Sequence, residues 1–204
     1  MSELREGLIK RFGEQRVNTI PPKEDTDIEL LQLDLELRSP TKVIMTHGLS
    51  NYEMPVPKKY EDKAFNEIYF CLPSYWEIES NEERFKWPFT WIQKLALHVV
   101  NKNTWYGPGH TFSNGNPPLS FSETMKCKHL ILCEPIFLEE HLQPIELKEK
   151  VIHFLGGIPL FDNELEYKNN KGYRKFIRKY RAKNNNELLD DFRESCLKLK
   201  FGLF

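Results

Sequence analysis

The sequence predicts an α+β fold: a single domain in which helices pack on a mixed β-sheet. Three observations carry this. Short runs of strand period end at Pro or Gly, several segments carry an apolar stripe at helical spacing, and the two kinds alternate irregularly. The regular strand-helix beat of a doubly wound parallel sheet is missing. A chain of 204 residues suits one core that buries roughly 70% of its unfolded surface. We expect one domain over 1–204, with its core over about 28–180.

Taken in order, Leu4, Leu8, Ile9 and Phe12 follow Ser2 at helical spacing, so a short capped helix opens the chain, weakened by Gly7. Pro21 and Pro22 end that segment. Leu31, Leu33, Leu35 and Leu37 alternate with polar residues, the period of a strand with one face on a core. Residues 42–46 read as the next strand, stopped at His47 and Gly48. Residues 51–63 read as loop, and Glu67–Leu72 as a third strand closed by Pro73, which has no donor for a ladder. Pro88 suits the first turn of a helix running to about Val100, with a stripe of Trp91, Ile92, Leu95, His98 and Val99.

Residues 129–133 and 151–155 are apolar runs of strand type. Tyr173, Phe176, Ile177 and Tyr180 then share one helical face. A last helix is expected over about 187–200, with acids in its first turn, lysines in its last, and a stripe of Leu189, Phe192, Cys196 and Leu199.

Composition restricts the function. The chain has 29 basic and 30 acidic residues, so no overall field favours DNA, RNA or anionic lipid. The charged start lacks the apolar core of a secretory signal, and no apolar run is long enough to span a bilayer. A cytoplasmic protein without a membrane partner is expected. Cys71, Cys127, Cys133 and Cys196 match neither a zinc pair nor a small disulfide frame, and read as reduced, buried thiols.

The most informative stretch runs from Trp105 to Pro118. It is rich in Gly, Pro and Asn yet carries Trp105, Tyr106, His110 and Phe112. Turning alone does not call for such residues, so the loop is either packed down or used. Trp76, Trp87 and Trp91 read as core or near-core, whereas Trp105 reads as a surface anchor.

His47 and His110 could join Glu67, Glu134, Asp162, Glu164 or Glu166 around a metal, which would make the chain a hydrolase. The short His spacings that bring two ligands to one ion are absent, however. Cys127 and His129 share one side of a strand, without the helix start or elbow that activates a nucleophile. Gly107-Pro108-Gly109 resembles a phosphate loop only superficially, because Pro108 removes a donor and no Gly-Lys-Ser/Thr follows. No cofactor and no metal are therefore expected. Residues 168–183 hold eight Lys or Arg and no acid. The basic helix over 171–183 could meet nucleic acid, though its apolar stripe reads first as a docking face on the parent domain.

Several ordered motifs together resemble the suppressor of fused family. They are Thr46-His47-Gly48-Leu49-Ser50 with Met54-Pro55, Glu67 to Pro73 with Trp76, Trp87-Pro88 with Leu95-Ala96, Thr104-Trp105 with Gly109-His110-Thr111, and Ile158-Pro159-Leu160 with Glu164 and Gly172. The resemblance covers roughly Leu31 to Tyr180 and implies a fold like the amino-terminal domain of that family. The length is like that of its bacterial single-domain members. In animals the resemblance implies a regulator that clamps an extended Gli peptide between two domains. In bacteria it implies an immunity protein of a polymorphic toxin system. The animal pattern has an acid before the loop histidine where this chain has Gly109, and there is no room for a second domain. The resemblance therefore implies a non-enzymatic, protein-binding domain whose partner is a toxin domain. Trp105, Tyr106, His110 and Phe112 would form the binding surface, joined by Asp162 and Glu164 if the fold brings them close.

Overall fold

The structure, a computed structural model, describes residues 2–20 and 27–197. Ser2 Oγ accepts the Arg5 amide at 3.2 Å and caps α1 (Glu3–Phe12), as expected. The strands are β1 (Val17–Ile20), β2 (Glu29–Glu36), β3 (Pro40–His47), β4 (Phe65–Leu72), β5 (Thr111–Ser113), β6 (His129–Cys133), β7 (Ile145–Glu146) and β8 (Val151–Leu160). The remaining helices are α2 (Glu83–Lys102), α3 (Asp162–Lys171) and α4 (Tyr173–Arg181). The strands form one mixed sheet in the order β1-β2-β3-β4-β8-β6-β5, with β7 also pairing β8. Only β4 and β8 run parallel.

Residue alternation splits the side chains of the central strands between two faces. On one face Ile44, Ile68, Phe70, Leu72, Leu130, Leu132 and Leu155 pack under α2, which contributes Phe85, Trp87, Ile92, Leu95 and Val99. On the other, Leu4 and Leu8 of α1 cover Leu31, Leu33, Val43, Met45, Tyr69 and Phe154. Phe176 and Tyr180 of α4 cover Ile131, Cys133, Ile158 and Leu160 farther along that face. Gly157 lets β8 pass beneath the first layer, because a Cβ there would stand 2.4 Å from the Phe70 ring.

Expected strands at 31–37, 42–46, 67–72, 129–133 and 151–155 are present, with their ends moved outward by up to several residues. Strands β1, β5 and β7 are too short to show a period, and α3 was not separated from the helix after it. Helix α2 begins at Glu83, so Pro88 lies inside it. Burial of Phe85 and Trp87 against Trp76, Phe70 and Phe121 favours the added first turn.

The expected helix over about 187–200 is absent across residues 187–197; residues 198–200 lie outside the described residues. Tertiary polar contacts outweigh its helical pattern. The Glu187 carboxylate is buried and accepts the amides of Ile136, Phe137 and Leu138 at 2.8–3.0 Å and the Tyr69 hydroxyl at 3.0 Å. Leu188 forms a parallel bridge to Cys71, and Leu189 N–H donates to the Cys71 carbonyl. Phe192, expected on an apolar stripe, is 74% exposed.

Arg193 then crosses to α3, donating to both oxygens of Glu164 at 2.8 and 2.7 Å. Both side chains are buried, at 7% and 0% exposure. Breaking such a pair strands a charge, so Arg193→Met should lower unfolding free energy in urea by about 3–5 kcal/mol. Burial by itself raises the Glu164 pKa, but Arg193 and the amides of Cys196 and Phe161 outweigh it and hold it below 4.5. The charged form thus stabilises the fold above the unfolded value, and that stability is lost as pH falls through the folded value. Glu164→Gln should flatten the acid limb of a stability-pH curve. A stability-pH curve with an unchanged acid limb would refute this assignment.

Candidate functional site

The residues after α2 turn sharply because Asn103 takes a left-handed conformation (φ 47°) and frees the chain to cross the sheet end. The loop is then tied to β6: Gly109 N–H donates to the Leu132 carbonyl at 2.7 Å, and Leu132 N–H to the His110 carbonyl at 2.9 Å. Gly109 has φ 92°, and a Cβ there would meet Tyr173 at 3.0 Å, so glycine permits both the turn and the contact with α4.

This bracing places Trp105 between Tyr60 and His110, with ring centroids 5.5 and 4.4 Å away. Together they wall a cleft of about 460 Å³, which also meets Tyr106, Tyr173, Ile177, Glu134, His153 and Leu155. That volume lies in the range of ligand-holding clefts. Tyr106 is buried, stacks edge-on against Phe112 at 4.9 Å, and has no hydrogen-bond partner for its hydroxyl among the described residues. Burial pushes its phenol pKa well up.

At the rim Lys63 pairs with Glu134 at 3.1 Å, and Arg181 lies 3.8 Å from Glu139. His153 Nε2 lies 3.0 Å from the Asp62 carbonyl. Burial lowers the pKa of both histidines; nearby Lys168 lowers His110 further, while a hydrogen bond to the Trp105 backbone opposes this. The cleft is therefore apolar-walled, with its fixed charges paired.

Of the six residues expected at a binding surface, Trp105, Tyr106 and His110 line this cleft and Phe112 backs Tyr106. The acids do not join them. Glu164 is committed to Arg193 in the interior, a correction to its expected place on a surface. Asp162 is 62% exposed but holds Lys128 at 2.7 Å and His129 at 2.9 Å. Tyr60, Asn66, Glu134, His153 and Tyr173 come to the cleft from four distant segments, and no sequence spacing signals that.

His47 and His110 are not brought together. His47 lies against Glu29 at 3.1 Å and Ser2 at 2.5 Å, in a separate recess. Among the described residues no three or more His, Cys, Asp or Glu are grouped to hold a metal. All four cysteines are free and buried, and burial pushes the Cys127 thiol up to about 12. Ser113, His129 and Asp162 do form a hydrogen-bonded chain, with 2.9 Å at each link. The second oxygen of Asp162 is held by Lys128, and Ser113 stands on a three-residue strand with no helix start behind it. The chain ties β5 and β6 to the start of α3. Helix α4 docks its apolar stripe through buried Phe176 and Tyr180, leaving Arg174, Lys175 and Arg178 exposed.

An α+β sheet domain with helices on both faces and an aromatic cleft at one end defines the class. The chain belongs to the suppressor of fused family: the family described as Suppressor of fused protein (SUFU) matches residues 24–194. No curated protein sequence matches it. Solved structures share the fold at low identity. The Sufu-Fu complex aligns with a TM-score of 0.66 at 15% identity, over 95% of this chain and 90% of that one. Drosophila Suppressor of Fused aligns at 0.65 and 15% identity, over 95% of this chain but 50% of the fly protein. A SUFU homolog from Neisseria gonorrhoeae FA 1090 aligns at 0.68 and 14% identity, over 95% and 94%.

The electrostatics of the cleft can be checked by NMR. His110 should titrate below the ordinary 6.5, and Lys168→Gln should move its midpoint upward because one of the lowering charges is gone. A midpoint above 6.5, or no response to the variant, would show that His110 lies outside this environment.

Proposed function

We propose that the chain is a non-enzymatic, single-domain protein-binding member of the suppressor of fused family, and that it neutralises a toxin domain in the cytoplasm. The observation that carries the binding reading is the braced cleft around Trp105 and His110. It offers aromatic area on a loop bonded to the sheet, so little ordering entropy opposes a partner. One aligned structure is described as a complex of Sufu with Fu, which supports binding as the use of this fold. The near-complete coverage of the Neisseria chain supports action as one domain. Among the described residues no helix is long and apolar enough to cross a membrane, and the four free, buried cysteines suit a reducing compartment.

The test is co-expression with the toxic protein encoded beside this chain's gene. Survival should be restored, and Trp105→Ala and His110→Ala should each weaken the complex by about 1–3 kcal/mol in calorimetry while melting temperatures change little. No rescue by the parent chain would remove the immunity role. Full affinity in both variants would move the binding face away from this cleft.

A further inference from the structure

The sheet is split where the cleft enters it. On the side of β8 away from β4, β7 pairs Val151 and Ile152, and β6 pairs Gly156 to Leu160. Residues 153–155 have no strand partner on that side among the described residues. The chain leaves β6 at Glu134-Pro135 and returns through Pro144 into β7. Proline has no amide to extend a ladder, so both strands stop short of the gap.

The ladder's alternation fixes which backbone groups face this opening. The Lys150 carbonyl accepts from Leu147 and the Leu160 carbonyl from Lys128, so even-numbered residues of β8 present their polar groups toward β6 and β7. Phe154 follows the same parity. Its N–H and C=O point into the gap, while His153 and Leu155 serve β4. Side chains from both sheet faces, Leu155 on one and Phe154 on the other, line the cleft.

We propose that the cleft takes an extended, uncharged peptide segment of the partner, which adds to β8 antiparallel at Phe154 between β6 and β7 and lays an aromatic or aliphatic side chain against Trp105. The proposal rests on the protein-binding reading above. A two-way backbone hydrogen bond at Phe154 supplies register, as in other strand-addition complexes. The occupant is uncharged because the acids of the cleft, Glu134 and Glu139, lie beside Lys63 and Arg181, leaving no fixed charge for an ionic side chain to match. The walls of Tyr60, Trp105, Tyr173 and Ile177 reward apolar area instead.

A phage-displayed random dodecapeptide library panned on the whole chain tests this, with the Trp105→Ala chain as the counter-screen. Enriched peptides should be neutral with an aromatic or aliphatic anchor. A synthetic copy should slow deuterium exchange of the Phe154 amide about tenfold or more. N-methylation along the peptide should abolish binding at one residue and be tolerated at its two neighbours. Absence of enrichment over the counter-screen overturns the proposal. So does enrichment of peptides that leave the Phe154 amide unprotected or bind regardless of N-methylation; in that case the partner-binding reading stands and only strand addition falls. Phe154→Pro, which removes the gap-facing amide, should lose the peptide while circular dichroism reports its folding. Retention of the peptide by a folded variant would also overturn the proposal.

Discussion

Connections laid against an apolar sheet bring backbone amides that water cannot reach, and those amides must find acceptors. Buried carboxylates supply them here. Glu67 accepts the amides of Gly48 and Ser50, the Ser50 hydroxyl and the Thr46 hydroxyl, which holds the turn after β3 on β4. Glu187 does the same for residues 136–138, and Glu164 for the start of α3 and the segment at Cys196. Only Glu164 has a cation beside it; burial raises the Glu67 pKa despite its four donors. Losing any of these acceptors would leave several donors dry at once, at about 1–3 kcal/mol each.

Those anchors position the cleft. Glu187 fixes the chain just beyond Pro135, so the exit from β6 is held open and Ile136 stands at the cleft wall. Hydrogen bonds from Gly109 and Leu132 fix the opposite wall, and α4, docked through Phe176 and Tyr180, brings Tyr173 to it. The cleft is therefore a consequence of three packed segments meeting at a break in the sheet, and its aromatic surface needs little rearrangement to receive a partner.

The layers on either side stabilise that break. Edge-on contacts among Trp76, Phe85, Trp87 and Phe70 keep α2 on β3 and β4, and the parallel pairing of β4 with β8 keeps β8 straight through the gap. Each edge-to-face pair adds about 0.5–1.5 kcal/mol beyond its buried area. An interrupted ladder on one side of β8 is thus tolerated because its other side is fully paired.

The sequence by itself determined the α+β class, the central strands, α1 and α4, since each rests on a local period or a cap. It also picked out Trp105, Tyr106 and His110, because aromatics on a glycine-rich frame are a local anomaly. The motifs from Thr46 to Gly172 carried the family resemblance for the same reason of order along the chain. Tertiary structure alone decided the rest. Leu189, Phe192 and Cys196 have helical spacing, yet Glu187 and Arg193 find buried partners that an isolated helix could not offer, so the segment is laid out across the sheet. Glu164 looked available and is interior, since its cation stands 29 residues away. The gap at Phe154 left no trace in the sequence: a missing strand neighbour is a relation between segments, and it exists only once β6 and β7 have both stopped beside β8.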